Sequence, residues 1–318
     1  MIQCAILDDY QNVALQYADW TALRGRVQVR VFNEHFETME ALEEATGDCE
    51  IIVAMRERTH FDAEVFARLP RLRLLASTGG RNPAIDLAAA KAAGVTVAYT
   101  GSFLSGTLEH TWALLLAAAR NIPNEVANFR AGGPWQLSVG ADLAERRLGI
   151  IGLGRQGSAV ARVARAFNMR VSAWSQNLTE ARCAEVGVEH AGSLEALLEQ
   201  SDVVTIHLVL SDRTRGLINA AAFERMQPHA ILVNTSRGPI IDQAALVAAL
   251  QQRRIAGAAI DVFEPEPVAL HDALRGLDNL VATPHLAYVT EGCYRVYFQG
   301  VVENIEAWLE QRLTRILA

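Results

Sequence analysis

The sequence predicts an α/β protein built on two doubly wound parallel sheets. Three observations carry that expectation. Short apolar strands alternate with amphipathic helices through the N-terminal hundred residues. A Gly- and Pro-containing stretch, "RAGGPWQLSVGADLAERR", then interrupts the pattern after a long helix. The alternation restarts at "RLGIIGLGRQG" and runs to about residue 285. Such alternation gives a parallel sheet covered by helices, and strands buried on both faces read as continuous apolar runs. A chain of 318 residues has room for about two such units.

In order, "CAILDD" reads as a strand and "NVALQYADWTAL" as a helix. "VQVRVF" alternates with period two, "TMEALEEAT" is helical, and "CEIIVAM" is an apolar, β-branched strand. "DAEVFARLP", "LRLLAST", "AIDLAAAKAAG" and "VTVAYT" continue the series. A long Ala/Leu-rich helix follows from about Thr107 to Arg120, and the loop through Trp135 breaks it. The closing segment, "GCYRVYFQGVVENIEAWLEQRL", is helical by the spacing of its aromatic and aliphatic residues.

Composition removes several classes of function. Half the residues are hydrophobic and 20% are charged, as in a soluble globule. The net charge of −7 argues against a nucleic-acid footprint and against adsorption to anionic membranes. "MIQCAILDDYQN" lacks the basic start of a signal peptide, and "TWALLLAAA" is too short to span a bilayer. Cys4, Cys49, Cys183 and Cys293 form no CxxC or metal-ligand pattern, so reduced thiols, a cytoplasmic setting and no metal are expected.

The restart of the alternation carries a nucleotide signal. In "GIIGLGRQG", Gly152, Gly154 and Gly157 fit G-x-G-x-x-G between a strand and the helix "RQGSAVARVARAF". The first glycine permits a tight turn, the second a close approach to a pyrophosphate, and the third close helix–strand packing. Phosphate charge then meets the free N–H groups of a helix start. A second strand, "RVSAWS", follows at the interval of a Rossmann unit, so a dinucleotide is the expected ligand. That strand ends at Ser175, where an NAD site usually places an acid for the ribose 2′-hydroxyl. Gln176 and Asn177 follow, and Arg155 and Arg182 are candidate phosphate partners, so NAD and NADP both stay open.

Three polar groups fall at later strand ends. Arg237 follows "AILVN", Asp261 ends "IAGAAI" with Glu266 five residues on, and His285 follows "LVAT". The carboxyl ends of parallel strands open onto the ligand crevice. A guanidinium, a carboxylate and an imidazole there could bind an anionic carbonyl compound and move a proton. Arg56, after "IIVAM", is a further candidate for substrate contact.

At these residues the chain resembles the D-isomer-specific 2-hydroxyacid dehydrogenases. The matching pieces are "GIIGLGRQG", "SDVVTIHLVLSDRTRGLI", "NTSRGPIID", "AAIDVFEPEP" and "TPH", with "RERTH" and "GTLEH" extending the likeness over nearly the whole chain. The resemblance implies a catalytic set of Arg237, Glu266 and His285. Arg237 would fork onto the substrate carboxylate and carbonyl. His285 would exchange a proton with the carbonyl oxygen, with Glu266 fixing its tautomer and facing its imidazolium. Hydride would pass between nicotinamide and substrate C2. His207, Leu208, Thr235, Ser236 and Asp261 would line the nicotinamide side, and Arg155 and Gln156 would lie on the phosphate turn.

The resemblance also implies a flavodoxin-like substrate domain from residues 1–99, completed by 289–318, and a Rossmann domain from 100–288. It implies a homodimer, through the long helix and the loop at Trp135. In the family, small residues after the fourth strand present N–H groups to the substrate carboxylate. Here Gly79 and Gly80 could do so, but Arg81 and Asn82 follow, and Arg81 could add a charged contact to the substrate or lean outward and leave the backbone job unchanged. Val209 stands where the family commonly has Pro, and Gln156 where an aliphatic residue is usual. His110 reads as a packing or interface residue, and Tyr288 as a pocket or packing residue.

The reaction expected is therefore interconversion of a 2-keto and a D-2-hydroxy acid with NAD or NADP. A nucleotide-sensing, co-repressor-like interaction protein on the same fold is the alternative. Formate dehydrogenases pair the histidine with Gln, so Glu266 favours hydroxyacid chemistry.

Overall fold

The computed structural model describes residues 1–80, 82–103 and 105–318. The chain divides into two compact units, Met1–Phe103 with Val289–Ala318, and Leu104–Tyr288. Among the described residues no helix is long and apolar enough to cross a membrane.

The split unit holds β1 (Ile2–Ile6), β2 (Val27–Val31), β3 (Ile51–Ala54), β4 (Leu74–Ser77) and β5 (Thr96–Tyr99). All pair in parallel, in the order β2-β1-β3-β4-β5. β3 and β4 are fully buried, as their unbroken apolar sequences require. Thr38, Asp62 and Asp86 cap the intervening helices by accepting N–H groups of the first turn. The helix Glu291–Leu309 returns to β5, where Asn304 donates to the Tyr99 carbonyl at 2.9 Å. Val97 then exchanges hydrogen bonds with Ala318 and Leu317, so the C-terminal residues cover the outer edge of β5.

One expected helix is absent. "NVALQYADWTAL" forms turns and the short 3-10 helix Trp20–Leu23. The Asp9 carboxylate accepts the N–H groups of Val13 and Ala14 at 2.8 Å each, and Asn12 adopts a left-handed φ of 54°. A side chain that takes the first backbone donors offers the chain an alternative to a helix.

The continuous unit holds β6 (Arg147–Ile151), β7 (Arg170–Trp174), β8 (Glu189–His190), β9 (Val203–Ile206), β10 (Ile231–Asn234), β11 (Gly257–Ile260) and β12 (Leu280–Ala282). Their order is β12-β11-β10-β9-β6-β7-β8, all parallel. Alternate residues of the central strands enter two separate apolar clusters. Leu232 and Val204 lie in one, and Ile231, Val233 and Val203 in the other. Both faces of the sheet are thus covered, each buried Leu or Ile contributing about 1.5–3 kcal/mol relative to exposure. A further helix, Ile122–Arg130, which no apolar spacing announces, follows the long helix Ser105–Ala119. Asn121 breaks the first helix with φ 51°, and Pro123 starts the second.

Candidate active site

Because every strand of the continuous unit runs the same way, all its strand ends meet one edge. Along that edge stand Ser175 after β7, the glycine turn after β6, His207 and Leu208 after β9, Thr235 to Arg237 after β10, Asp261 after β11 and His285 just past β12. The order reverses between β6 and β9, which is where doubly wound sheets bind ligands.

The glycine turn fits a dinucleotide. Gly152 has φ 100°, and a Cβ there would lie 2.6 Å from the His207 carbonyl oxygen. A Cβ on Gly157 would lie 2.0 Å from the Gly152 oxygen, so the helix Arg155–Ala166 could not pack as it does. Gly154, the residue before that helix, has no atom within 4 Å of its Cβ direction. Open space therefore faces a helix start whose Gly154 cap position offers no side chain to its N–H groups, as a pyrophosphate needs. Arg155 is exposed there and Gln156 and Ser175 are half-buried. Arg182 instead pairs with Glu185 and donates to Ser158. The turn is fixed to β7 by the Gly152 N–H, which donates to the Trp174 carbonyl at 2.8 Å.

His207 bonds Thr205 at 3.0 Å, and burial pushes its imidazole down to about 4, so it is neutral near pH 7. On the next strand end, Ser236 donates to the Ile206 carbonyl and Thr235 bonds Thr111. Arg237 donates to the Ser236 carbonyl at 2.7 Å, while Asn234 holds the Arg237 carbonyl. Its turn lies against the next loop, since a Cβ on Gly238 would come within 2.2 Å of the Phe263 backbone.

That loop delivers the carboxylate. Glu266 accepts the Phe263 N–H at 2.8 Å through Oε1 and meets His285 Nδ1 at 2.7 Å through Oε2. Glu264, equally close in sequence, pairs outward with Arg215 at 2.8 Å. The geometry therefore selects Glu266, and with Nδ1 engaged, His285 Nε2 has no partner among the described residues. Tyr288 is buried and sets its ring edge-to-face on His285, with centroids 5.2 Å apart.

Asp261 is fully buried. Its oxygens accept the N–H groups of Leu286 and Ala287, each at 2.8 Å, and the Thr283 hydroxyl at 2.6 Å. It grips the backbone directly after His285. His110, expected from the sequence to be a packing or interface residue, reaches the same group. It lies 2.9 Å from Thr283 Oγ1 and 3.2 Å from Asp261 Oδ1.

In the split unit, Arg56 follows β3 with φ 53°. Its N–H donates to Thr78 Oγ1 at 2.9 Å, and its guanidinium pairs with Glu57 at 3.0 Å. Asn82 holds the Arg56 carbonyl at 2.7 Å. Gly79 has φ 76°, and its Cβ direction is filled by Arg56 Nη1 at 2.0 Å. The Gly79 N–H already donates to Thr100 Oγ1 at 2.7 Å, which leaves Gly80, with open space around it, to offer a donor. Arg81 lies outside the described residues. Arg58 lies over the Tyr10 ring at 4.3 Å and donates to the Asp8 carbonyl.

The NAD-binding domain model of the D-isomer-specific 2-hydroxyacid dehydrogenases matches residues 112–287. The chain belongs to that family. A glyoxylate reductase from Korarchaeum cryptofilum is 37% identical over 292 residues, covering 86% of this chain and 87% of that protein. The crystal structure of a phosphoglycerate oxidoreductase from Vibrio cholerae O395 superposes with a TM-score of 0.93 at 33% identity, covering 98% of this chain and all of that one. The apo-structure of an Escherichia coli D-lactate dehydrogenase gives 0.84 at 25% identity over the full length of both.

This 2-hydroxyacid dehydrogenase is an NAD(P)-dependent oxidoreductase that interconverts D-2-hydroxy and 2-keto acids. The co-repressor-like alternative draws no support from these relatives. Three partners of the predicted site residues carry no signal in the sequence. His110 and Thr100 are contributed from far along the chain, and Thr283 looks like an ordinary strand residue. No local pattern announces a contact of that kind.

Proposed function

We propose that this chain reduces a small 2-keto acid with His285 as proton donor and Arg237 as carboxylate anchor. The Glu266–His285 contact of 2.7 Å, beside the Arg237 turn, carries the reading. The residue at Nδ1 fixes which nitrogen can act: with Nδ1–H held by Glu266, the outward Nε2 delivers the proton to the carbonyl oxygen. Arg237 presents a planar fork that matches a carboxylate. Within the split unit, the Gly80 N–H is proposed as a donor to a substrate oxygen, with Gly79 allowing Arg56 its close approach. When bound, the nicotinamide supplies or takes the hydride. After reduction His285 is neutral, still tied to Glu266, and regains its proton from solvent. Asp261 shapes the nicotinamide side through the backbone it holds, with His207, Leu208, Thr235 and Ser236 as neighbours on the edge.

We further propose that both NAD and NADP are accepted. Ser175, Gln176 and Asn177 set no carboxylate against a 2′-phosphate, and Arg155 is exposed at the phosphate turn. The split unit is proposed as the substrate domain and the continuous unit as the dinucleotide domain. Phe129, Trp135, Leu137 and Val139 are 72%, 84%, 51% and 101% exposed, an apolar run that supports a homodimer. Four unpaired, buried cysteines fit a cytoplasmic setting.

The test is His285→Ala, assayed with glyoxylate, hydroxypyruvate, pyruvate and phenylpyruvate. Turnover is expected to fall about 10²–10⁴-fold, the usual worth of a positioned general acid, with dinucleotide affinity kept. Unchanged turnover would remove His285 from the mechanism.

A further inference from the structure

The roles above leave His110 without one. It sits on the helix Ser105–Ala119, its side chain 19% exposed, beside the fully buried Asp261. The protons around it are determined by their partners. Leu286 and Ala287 donate backbone N–H groups to Asp261. The Thr283 hydroxyl donates to Asp261 Oδ1 at 2.6 Å, so its oxygen can only accept from His110. His110 Nε2 must then carry the hydrogen, shared between Thr283 at 2.9 Å and Asp261 at 3.2 Å.

This cluster surrounds the backbone of the proton donor. His285 has a left-handed φ of 54°, rare for a residue with a bulky side chain. Such a conformation persists where its surroundings over-determine it. Here the His285 N–H donates to the Thr283 carbonyl at 2.9 Å on one side, and Asp261 holds the next two N–H groups on the other. Thr283 and Asp261 are the two residues that His110 ties together.

We propose that His110 is a positioning residue for proton transfer, acting through Thr283 and Asp261 on the backbone that carries His285. The inference rests on His285 being the proton donor. Without His110, Thr283 Oγ1 and Asp261 Oδ1 lose a shared donor in a buried place, and the loop loses one of its constraints. Proton transfer tolerates little misplacement of the imidazole. Dinucleotide affinity has its own anchor at the glycine turn, so it should respond far less than proton transfer.

A double-mutant cycle tests this on the full chain. His110→Ala is expected to lower kcat about tenfold, within the coupling found between groups of one hydrogen-bonded network. KM and the dinucleotide Kd, read by nicotinamide fluorescence, should change less than about twofold by the same reasoning. In the His285→Ala background the substitution should cost nothing further, because there is no imidazole left to position. His110→Gln should recover most of kcat, since its amide nitrogen can replace the Nε2 donor. Should His110→Ala fail to fold, Thr283→Val removes the hydroxyl relay at nearly constant shape and should show the same pattern. An unchanged kcat, an equal loss in both backgrounds, or a Gln variant no better than Ala overturns the proposal. Full turnover in His285→Ala alone instead overturns the proton-donor reading, and is recognised without any change at His110.

Discussion

Glu266 holds His285 from one side only: Oε2 meets Nδ1 at 2.7 Å while Oε1 is anchored by the Phe263 N–H at 2.8 Å. The carboxylate is therefore fixed before it fixes the imidazole. Glu266→Gln keeps the shape and can still accept at Oε1, but it loses the charge that opposes an imidazolium. A kcat reduced about 10–100-fold is expected, from a charged hydrogen bond worth about 1.5–3 kcal/mol. Glu264→Gln, which breaks only the exposed pair with Arg215, should leave kcat within about twofold. Equal effects of the two changes would contradict the assignment.

Arg237→Lys preserves the charge and removes the planar fork. If the guanidinium grips the substrate carboxylate with two bonds, KM for the keto acid should rise by about tenfold or more. The dinucleotide Kd should hardly move. Steady-state kinetics at varied keto acid separate the two; an unaltered KM would place Arg237 elsewhere.

Ser175→Asp puts a carboxylate at the end of β7, the position from which a Rossmann site usually reads the ribose 2′-hydroxyl. The ratio of kcat/KM for NADPH to that for NADH should fall by about tenfold or more, the size of one unfavourable charge contact of about 1.4 kcal/mol. Titration of each dinucleotide by fluorescence gives the same comparison without turnover. A ratio that does not change means the 2′-position is read by other residues.

His207 offers a test through pH. Its folded value of about 4 lies below the ordinary 6.5 because burial disfavours the charged ring. Above pH 6.5 both folded and unfolded forms are neutral. As pH falls, the unfolded chain takes up a proton that the folded chain refuses until about 4, so stability is lost across that window. His207→Gln should narrow the gap in Tm between pH 7 and pH 4.5. A gap of the same width would mean that other groups cause the acid loss.

The exposed apolar run from Phe129 to Val139 should be covered in solution by a second copy. Trp135→Glu with Val139→Glu places two charges in that contact. Light scattering is expected to shift from twice the chain mass toward the chain mass. A dimer that survives both changes uses another surface.

Much of this site is written in the sequence because strand ends are. Once Arg237, Asp261 and His285 each close an apolar run, parallel pairing brings them to one edge without further information. The unread parts depend on contacts between distant residues. The choice of Glu266 over Glu264 required the loop to turn inward at Phe263. The Gly79 donor was spent by Thr100, which lies 21 residues away. The apolar spacing from Val13 to Leu23 is helical, but Asp9, just before it, captures the first donors. In each case a polar side chain outside the periodic pattern decided the outcome.

The covering of β5 by residues near Ala318 has a consequence for how the chain is made. Every residue of the continuous unit leaves the ribosome before the helix Glu291–Leu309 and the strand-like tail that complete the other. Until then β5 presents a bare row of backbone groups, open to pairing with another chain. The unit translated first is thus the last to be finished, and its β5 edge is the place where a nascent or clipped chain would stick to its neighbours.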